Sequence, residues 1–336
     1  MIPTRSAVLF AAALAFVSAS IEAAQPKKKN NTGKTWIDPK KAAADDPDFL
    51  IQGEYGHSKQ WQPWAAQVVA LGDRKFDAYL LERGLPGLGW DRSKLRVKMT
   101  GGIKDGALNL TNPGRIYRAS ISDGKIVVWH RGDIIARLPR IERESPTLGA
   151  KPPKGATVLF DGSSADAWKN GRVENGLLPN SNITTKETFG SYQLHLEFRT
   201  PYKPYARGQG RGNSGVYHQG RYETQVLDAF GLDGKMNETG GIYSIAAPRI
   251  NMCLPPLRWQ TYDVDFKEAE FDKKGKLLKH ASMTVQLNGV EIHTKQELPK
   301  TTTASPIRKI TPAPGPIFIQ AHGNPVYYRN IWIVRK

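Results

Sequence analysis

Cysteine is almost missing from this chain: Cys253 is the only one in 336 residues. One thiol closes no intrachain bridge, so a disulfide-stapled scaffold is excluded and stability has to come from core burial. Long hydrophobic runs are missing as well. The longest, 7–17, covers about ten residues, where roughly 20 are needed to cross a bilayer. The usual metal-ligand spacings are also absent: no HExxH, no paired cysteines and no closely spaced histidines. No cofactor is implied, although a calcium site built from loop oxygens stays open.

Acidic residues are few, 31 against 48 Lys and Arg, for a formal charge of +17. The basic residues are spread along the chain, with one tight cluster at 27–29 and no helix-turn-helix, zinc-finger or RNA-binding signature. Nucleic acid is therefore not the expected partner. The charge suits solubility, or attraction to an anionic envelope or polysaccharide. Nothing in the sequence speaks to oligomeric state.

What is present begins with a leader. Arg5, an apolar stretch and small residues ending at Ala23-Ala24 have the pattern of a cleaved signal peptide over 1–24. The expected location is periplasmic or secreted, with no transmembrane segment. The polar, lysine-rich 25–47 reads as a disordered linker. Removing 24 residues from 336 leaves about 310, enough for two domains with ordinary cores.

From there short alternating strands dominate. Candidates are 65–71, 75–81, 94–99, 107–110, 116–121, 125–130 and 134–139, separated by turn signals such as Ser122-Asp123-Gly124. This predicts a small all-β domain over 48–141. A proline-bearing connector follows at 142–155, then a second all-β domain over 156–336. Its strands alternate clearly: in 192–199, Leu194, Leu196 and Phe198 point one way and Gln193, His195, Glu197 and Arg199 the other. Asn288-Gly289 is a strong hairpin signal, and the spacing of strands and turns indicates a sandwich or jelly roll.

The least generic segment is 211–228 (RGNSGVYHQGRYETQVLD). Its glycine-rich approach fits neither phosphate-loop spacing, and reads as a tight structural loop or as a rim presenting Arg211, Asn213 and Ser214 to a polar ligand. Strand alternation sets Glu223 and Gln225 on one face, a carboxylate beside an amide, which suits sugar hydroxyls. Glu197 either shares such a face or pairs with Arg199 or Arg221. Asp228 caps a turn or touches substrate. His322 ends a strand beside Gly323, where it can reach a cleft or stand in solvent. Arg329 has aromatic neighbours, and Trp168 either stacks on a sugar ring or fills the core.

Several motifs resemble one family, the 3-keto-disaccharide hydrolase domain. They are LFDGSSADAWKNG at 159–171, HLEFRTPY at 195–202, GRGNSGVYHQGRYETQVLD at 210–228, GGIY at 240–243, NMCLPPLRWQTYDVDF at 251–266 and HGNPVYYRNIWIV at 322–334. The similarity covers about 156–336, and the upstream β domain with its PTLGAKPP connector resembles that of exported planctomycete-type members. One departure is Thr239, where close relatives often carry a cysteine that would partner Cys253.

The resemblance implies a concanavalin A-like jelly roll that cleaves glycosides oxidised at C3. A C3 ketone acidifies the C2 proton, so a base can remove it, the C1 leaving group departs and water adds to the enone. Such a site needs a base near C2 and donors for the enolate. Glu223 or His322 is the expected base. Arg211, Asn213, Gln225, Asp228, Arg329, Glu197 and Trp168 are the expected substrate contacts. Two rivals remain: a non-catalytic lectin-like module, and a conventional glycosidase using Glu223 with Glu197.

Overall fold

The structure is a computed structural model that describes residues 33–58, 62–104 and 106–336; the expected leader at 1–24 and the basic cluster at 27–29 lie outside them. No helix among the described residues is long and apolar enough to cross a membrane.

Eight antiparallel strands form a closed up-and-down barrel: β1 (Gly53–Tyr55), β2 (Trp64–Gly72), β3 (Lys75–Glu82), β4 (Arg96–Lys104), β5 (Ala107–Thr111), β6 (Tyr117–Ser122), β7 (Lys125–His130) and β8 (Asp133–Ile141). All seven candidate strands of this half appear within a few residues of their expected limits. Closure depends on β1, which pairs with both β2 and β8 and leaves no free edge. Its three residues are too short to alternate visibly. Alternation in the other strands turns Val68, Phe76, Leu80, Met99, Leu110 and Val128 into the barrel interior.

The second half is a two-sheet sandwich, as the sequence predicts. Its strands are β9 (Thr157–Phe160), β10 (Trp168–Lys169), β11 (Leu178–Pro179), β12 (Ile183–Thr185), β13 (Tyr192–Arg199), β14 (Ser214–His218), β15 (Tyr222–Val226) and β16 (Gln260–Lys267). A small ribbon, β17 (Glu270–Phe271) with β18 (Leu277–Lys279), precedes β19 (Ala281–Leu287), β20 (Val290–Leu298), β21 (Phe318–Ala321) and β22 (Tyr327–Arg335). One sheet runs β10-β12-β21-β14-β15, and the other β11-β22-β13-β16-β19-β20 with β9 also on β22. Leu194, Leu196, Phe198, Val216, Tyr222, Val264 and Ile333 fill the space between the sheets. Asn288 (φ 52°) and Gly289 (φ 74°) make the β19–β20 hairpin turn with both residues left-handed, as their dipeptide signals.

Two expectations need correction. The 25–47 segment is not all unstructured: α1 (Pro39–Asp45), capped by the Asp38 side chain on the Lys41 amide, leads into α2 (Asp48–Ile51). Trp36 anchors this piece, exchanging backbone hydrogen bonds with Tyr202, its ring tilted against the Tyr202 ring at 5.4 Å. The propensity lies in the alanine run after Pro39, and the docking of Trp36 is a tertiary event. Likewise 142–155 is no free connector. It straps across the seven-stranded sheet, with the Gly149 amide on Glu197 (2.6 Å) and Thr147 on Asp263 (2.7 Å).

Barrel and sandwich are not separate bodies. A third apolar cluster, with Val69, Tyr79 and Leu85 from the barrel half and Leu227, Phe230 and Cys253 from the sandwich, joins them.

Candidate active site

The sheet β10-β12-β21-β14-β15 has one face in the core and one facing out. Val216, Tyr222, Val226 and Ile319 point into the core, so their alternates Gly215, Tyr217, Glu223, Gln225, Phe318 and Gln320 share the outer face. The register orders them in two rows. Phe318, Tyr217 and Glu223 form one, and Gln320, Gly215 and Gln225 the next.

Glu223 sits at the floor, buried along with Tyr217 and Gln225. Burial pushes its carboxyl up from 4.5 to about 8, opposed only by a hydrogen bond with the Tyr217 hydroxyl. The carboxyl lies directly over Gly215, where an added Cβ would run into its oxygen. Gly215 is thus required for the space above it rather than for its backbone. Gly215→Ala is expected to push the carboxyl aside and lower kcat/KM roughly a hundredfold while the thermal melt holds. A wild-type rate in that variant would mean that the carboxyl's position does not matter.

Amides surround this floor. Gln225 donates to the Gln209 side-chain oxygen (2.9 Å), which also accepts from Asn213 (3.0 Å), and Gln209 donates to the Asn237 carbonyl (2.7 Å). Gln320 donates to the Tyr217 hydroxyl (3.2 Å). The buried Asn213 side-chain oxygen has no partner among the described residues. An unmet buried acceptor beside a ring of amides is open to a ligand hydroxyl. Gln209, Asn237, Tyr243, Phe318 and Gln320 are only half-buried and rim the site, with the Phe318 ring 5.3 Å from Tyr217. Thr302 clamps the strand from outside by accepting from the Glu223 amide (3.0 Å).

A scan against family models matches residues 155–334 to the 3-keto-alpha-glucoside-1,2-lyase-like domain. The chain belongs to this family. A crystal structure from Parabacteroides distasonis ATCC 8503, assigned there to the glycosyl hydrolases, is 33% identical over 55% of this chain and 85% of its own, with a TM-score of 0.51. A second structure from that organism with the same assignment is 22% identical over 55% of this chain and 94% of its own, with a TM-score of 0.42. No curated protein matches. The matched segment holds every residue of the floor and the rim, and the chain is accordingly a carbohydrate-active, hydrolase-like protein. The barrel lies outside the match.

Within this lyase-like domain the nine expected site residues separate into groups. Glu223, Gln225 and Asn213 come together at the site just described. His322 stands exposed just past β21, and no hydrogen bond from the described residues holds its ring. Continuing the register puts it four residues along from the Glu223 row, about 13 Å at about 3.3 Å per residue. One substrate carbon cannot touch both.

Arg211 and Asp228 are not rim residues. They form a buried ion pair (2.7 Å), and Arg211 continues to the Ala70 carbonyl (3.3 Å) and the Gln52 side chain (3.4 Å), tying sandwich to barrel. Trp168 is core: it is 3% exposed and its indole donates to the Leu159 carbonyl (2.8 Å).

Glu197 and Arg329 lie on the other sheet's outer face. They bond to each other at 2.6 Å, so neither Arg199 nor Arg221 is the partner of Glu197. Burial would raise the Glu197 carboxyl, but hydrogen bonds from His195, Asn330, the Gly149 amide and Arg329 outweigh it and hold it at about 2. His195 in turn meets Asp263 at 2.6 Å and stacks on Trp332. This cluster fastens the 142–155 strap.

Nothing in the sequence marks Tyr217, Gln209, Phe318 or Gln320 as a site residue. Tyr217 lies inside the 211–228 run, but only the β14–β15 register puts it beside Glu223. Thr239 shares the Leu227 carbonyl with the Cys253 thiol, so the two positions that a disulfide would join in relatives are neighbours here.

Proposed function

We propose that this protein cleaves 3-keto-glucosides by elimination across C1 and C2, with Glu223 as the base. The ionised carboxylate takes the C2 proton, and the C–H electron pair moves toward C3, leaving an enolate on the ketone oxygen. The enolate collapses to form the C1–C2 double bond and expels the C1 oxygen of the aglycone, which takes up the proton that Glu223 has removed and so returns the carboxylate. Water then adds its hydroxyl at C1 and its proton at C2, releasing the 3-keto sugar. The second N–H of the Gln209, Asn213 and Gln320 side-chain amides, beyond the bond each already makes, is the donor available for the sugar oxygens.

The observation that carries this reading is the Glu223 carboxyl, held at about 8 over a side-chain-free glycine. A carboxylate of that basicity removes a carbon-bound proton better than an ordinary one, although only about a tenth of it is ionised at pH 7. Export, to the periplasm or beyond, belongs to the same proposal and rests on the leader pattern at 1–24.

The conventional glycosidase reading loses its second carboxyl. Glu223 and Glu197 lie on opposite outer faces of the sandwich, separated by two sheets, whereas paired glycosidase carboxyls stand about 5–9.5 Å apart. The lectin-like reading is separated by experiment. With 3-keto-trehalose or 3-keto-sucrose as substrate, log kcat/KM is expected to rise with unit slope and level off above about pH 8, because the base must be ionised. A fall over the same range would make Glu223 an acid. Saturable binding without any product would favour the lectin.

A further inference from the structure

Outside the lyase-like domain, the barrel carries a second face with the makings of a binding site. Across its outer surface run two adjacent rows of cross-strand partners. Thr111, Arg118, Trp129 and Ile134 form one, from β5 to β8. Asn109, Ser120, Val127 and Arg137 form the other. The alternate residues Leu110, Ala119, Ile126 and Val128 are in the barrel core, so these rows project outward.

A cavity of about 630 Å³ opens on this face, lined by Asn109, Thr111, Arg115, Arg118, Ser120 and Trp129 among others. That volume is within the range of small-ligand sites. Three of its properties point to a ligand. Its single large ring, Trp129, is only half-buried although it stands on a solvent-facing sheet surface. No acidic residue lines the cavity, and neither Arg115 nor Arg118 has an ion-pair or side-chain hydrogen-bond partner among the described residues. Arg115 is also held with φ at 57°, a conformation that side-chain-bearing residues adopt at a cost and that recurs at ligand clamps.

We propose that this face is a non-catalytic site for an anionic polysaccharide, a chain bearing uronate carboxylates. The apolar face of a pyranose ring packs on the Trp129 indole. Arg118 and Arg115 take the carboxylate through the paired N–H geometry of a guanidinium. Asn109, Thr111 and Ser120 supply neutral donors and acceptors for hydroxyls. Nucleic acid fits less well, because single-strand grooves stack successive bases on several aromatics and here one ring is available. The site gives the net charge of +17 a specific target and would hold the sandwich's site near a polymer.

The test is affinity electrophoresis and calorimetry on the full mature chain, with polygalacturonate, neutral dextran and a single-stranded oligonucleotide as probes. Polygalacturonate is expected to retard the wild-type protein, dextran is not, and binding should weaken as salt rises. Trp129→Ala should weaken binding at least tenfold, and Arg115→Ala/Arg118→Ala should abolish it. Both variants should keep the wild-type melting temperature and the wild-type turnover of a small 3-keto-disaccharide. Equal retardation of wild type and variants, equal binding to dextran, or no binding to polygalacturonate would each overturn the proposal. Oligonucleotide binding stronger than that of polygalacturonate and lost in Trp129→Ala would reassign the face to nucleic acid.

Discussion

Glu223→Gln is expected to lower kcat/KM on a 3-keto-disaccharide by roughly 10²- to 10⁴-fold, the range that a positioned general base contributes. Glutamine keeps the shape and can accept from the Tyr217 hydroxyl, but it cannot take a proton. A second readout separates loss of chemistry from loss of structure. The folded-state value of Glu223 is raised to about 8, against 4.5 for the free side chain. Its contribution to stability is therefore fully present below about pH 4.5 and is lost as pH rises through 8. Glutamine carries no such loss. The melting temperature of the variant, relative to wild type, should climb between pH 5 and pH 9. Thermal melts at those two values check this. A constant difference would mean that the carboxyl is not buried as described. A wild-type rate in Glu223→Gln would remove Glu223 from the base role, and turnover by His322→Ala would then be the next measurement.

The second large effect is on stability. Arg211→Ala leaves the Asp228 carboxylate buried with its ion-pair partner gone and removes the contacts to Ala70 and Gln52 that join the two halves. Breaking a buried pair from one side costs about 3–5 kcal/mol. The double change Arg211→Met/Asp228→Leu should recover most of that loss, because it removes both charges together. Urea unfolding followed by tryptophan fluorescence measures both variants. The same experiment decides what kind of residue Arg211 is. A substrate contact would lower kcat/KM and leave the unfolding midpoint unchanged, whereas a structural tie moves the midpoint first.

Arg211 also illustrates where reading the sequence runs out. In the run 211–228, Glu223 and Gln225 fall on one strand face by period-two alternation, and both are at the site. Arg211 and Asp228 flank that strand in sequence and look equally polar. They turn instead to each other and to the barrel, because a charge withdrawn from water needs an opposite charge and the nearest one lies 17 residues away. Trp168 shows the same limit. An indole that fills a core and one that stacks on a sugar are the same letter, and the Leu159 carbonyl that satisfies its N–H belongs to another strand. Tyr217 is not legible for a related reason, since its place beside Glu223 depends on strand pairing.

The strands were legible because their signal is local: a side chain either faces the core or does not, and the alternation is written residue by residue. The barrel's closure was not, since β1 has three residues and acts through two non-local pairings. The one cysteine, the lack of helical periodicity and the alternating strands determined by themselves that this chain is all-β and held by burial rather than by bridges. Which polar residues meet around Glu223, and which are used to lock barrel to sandwich, was decided only by the tertiary structure. Composition and periodicity act through neighbours in the chain, whereas a carboxyl's protonation and a guanidinium's partner depend on whatever the fold brings within about 4 Å.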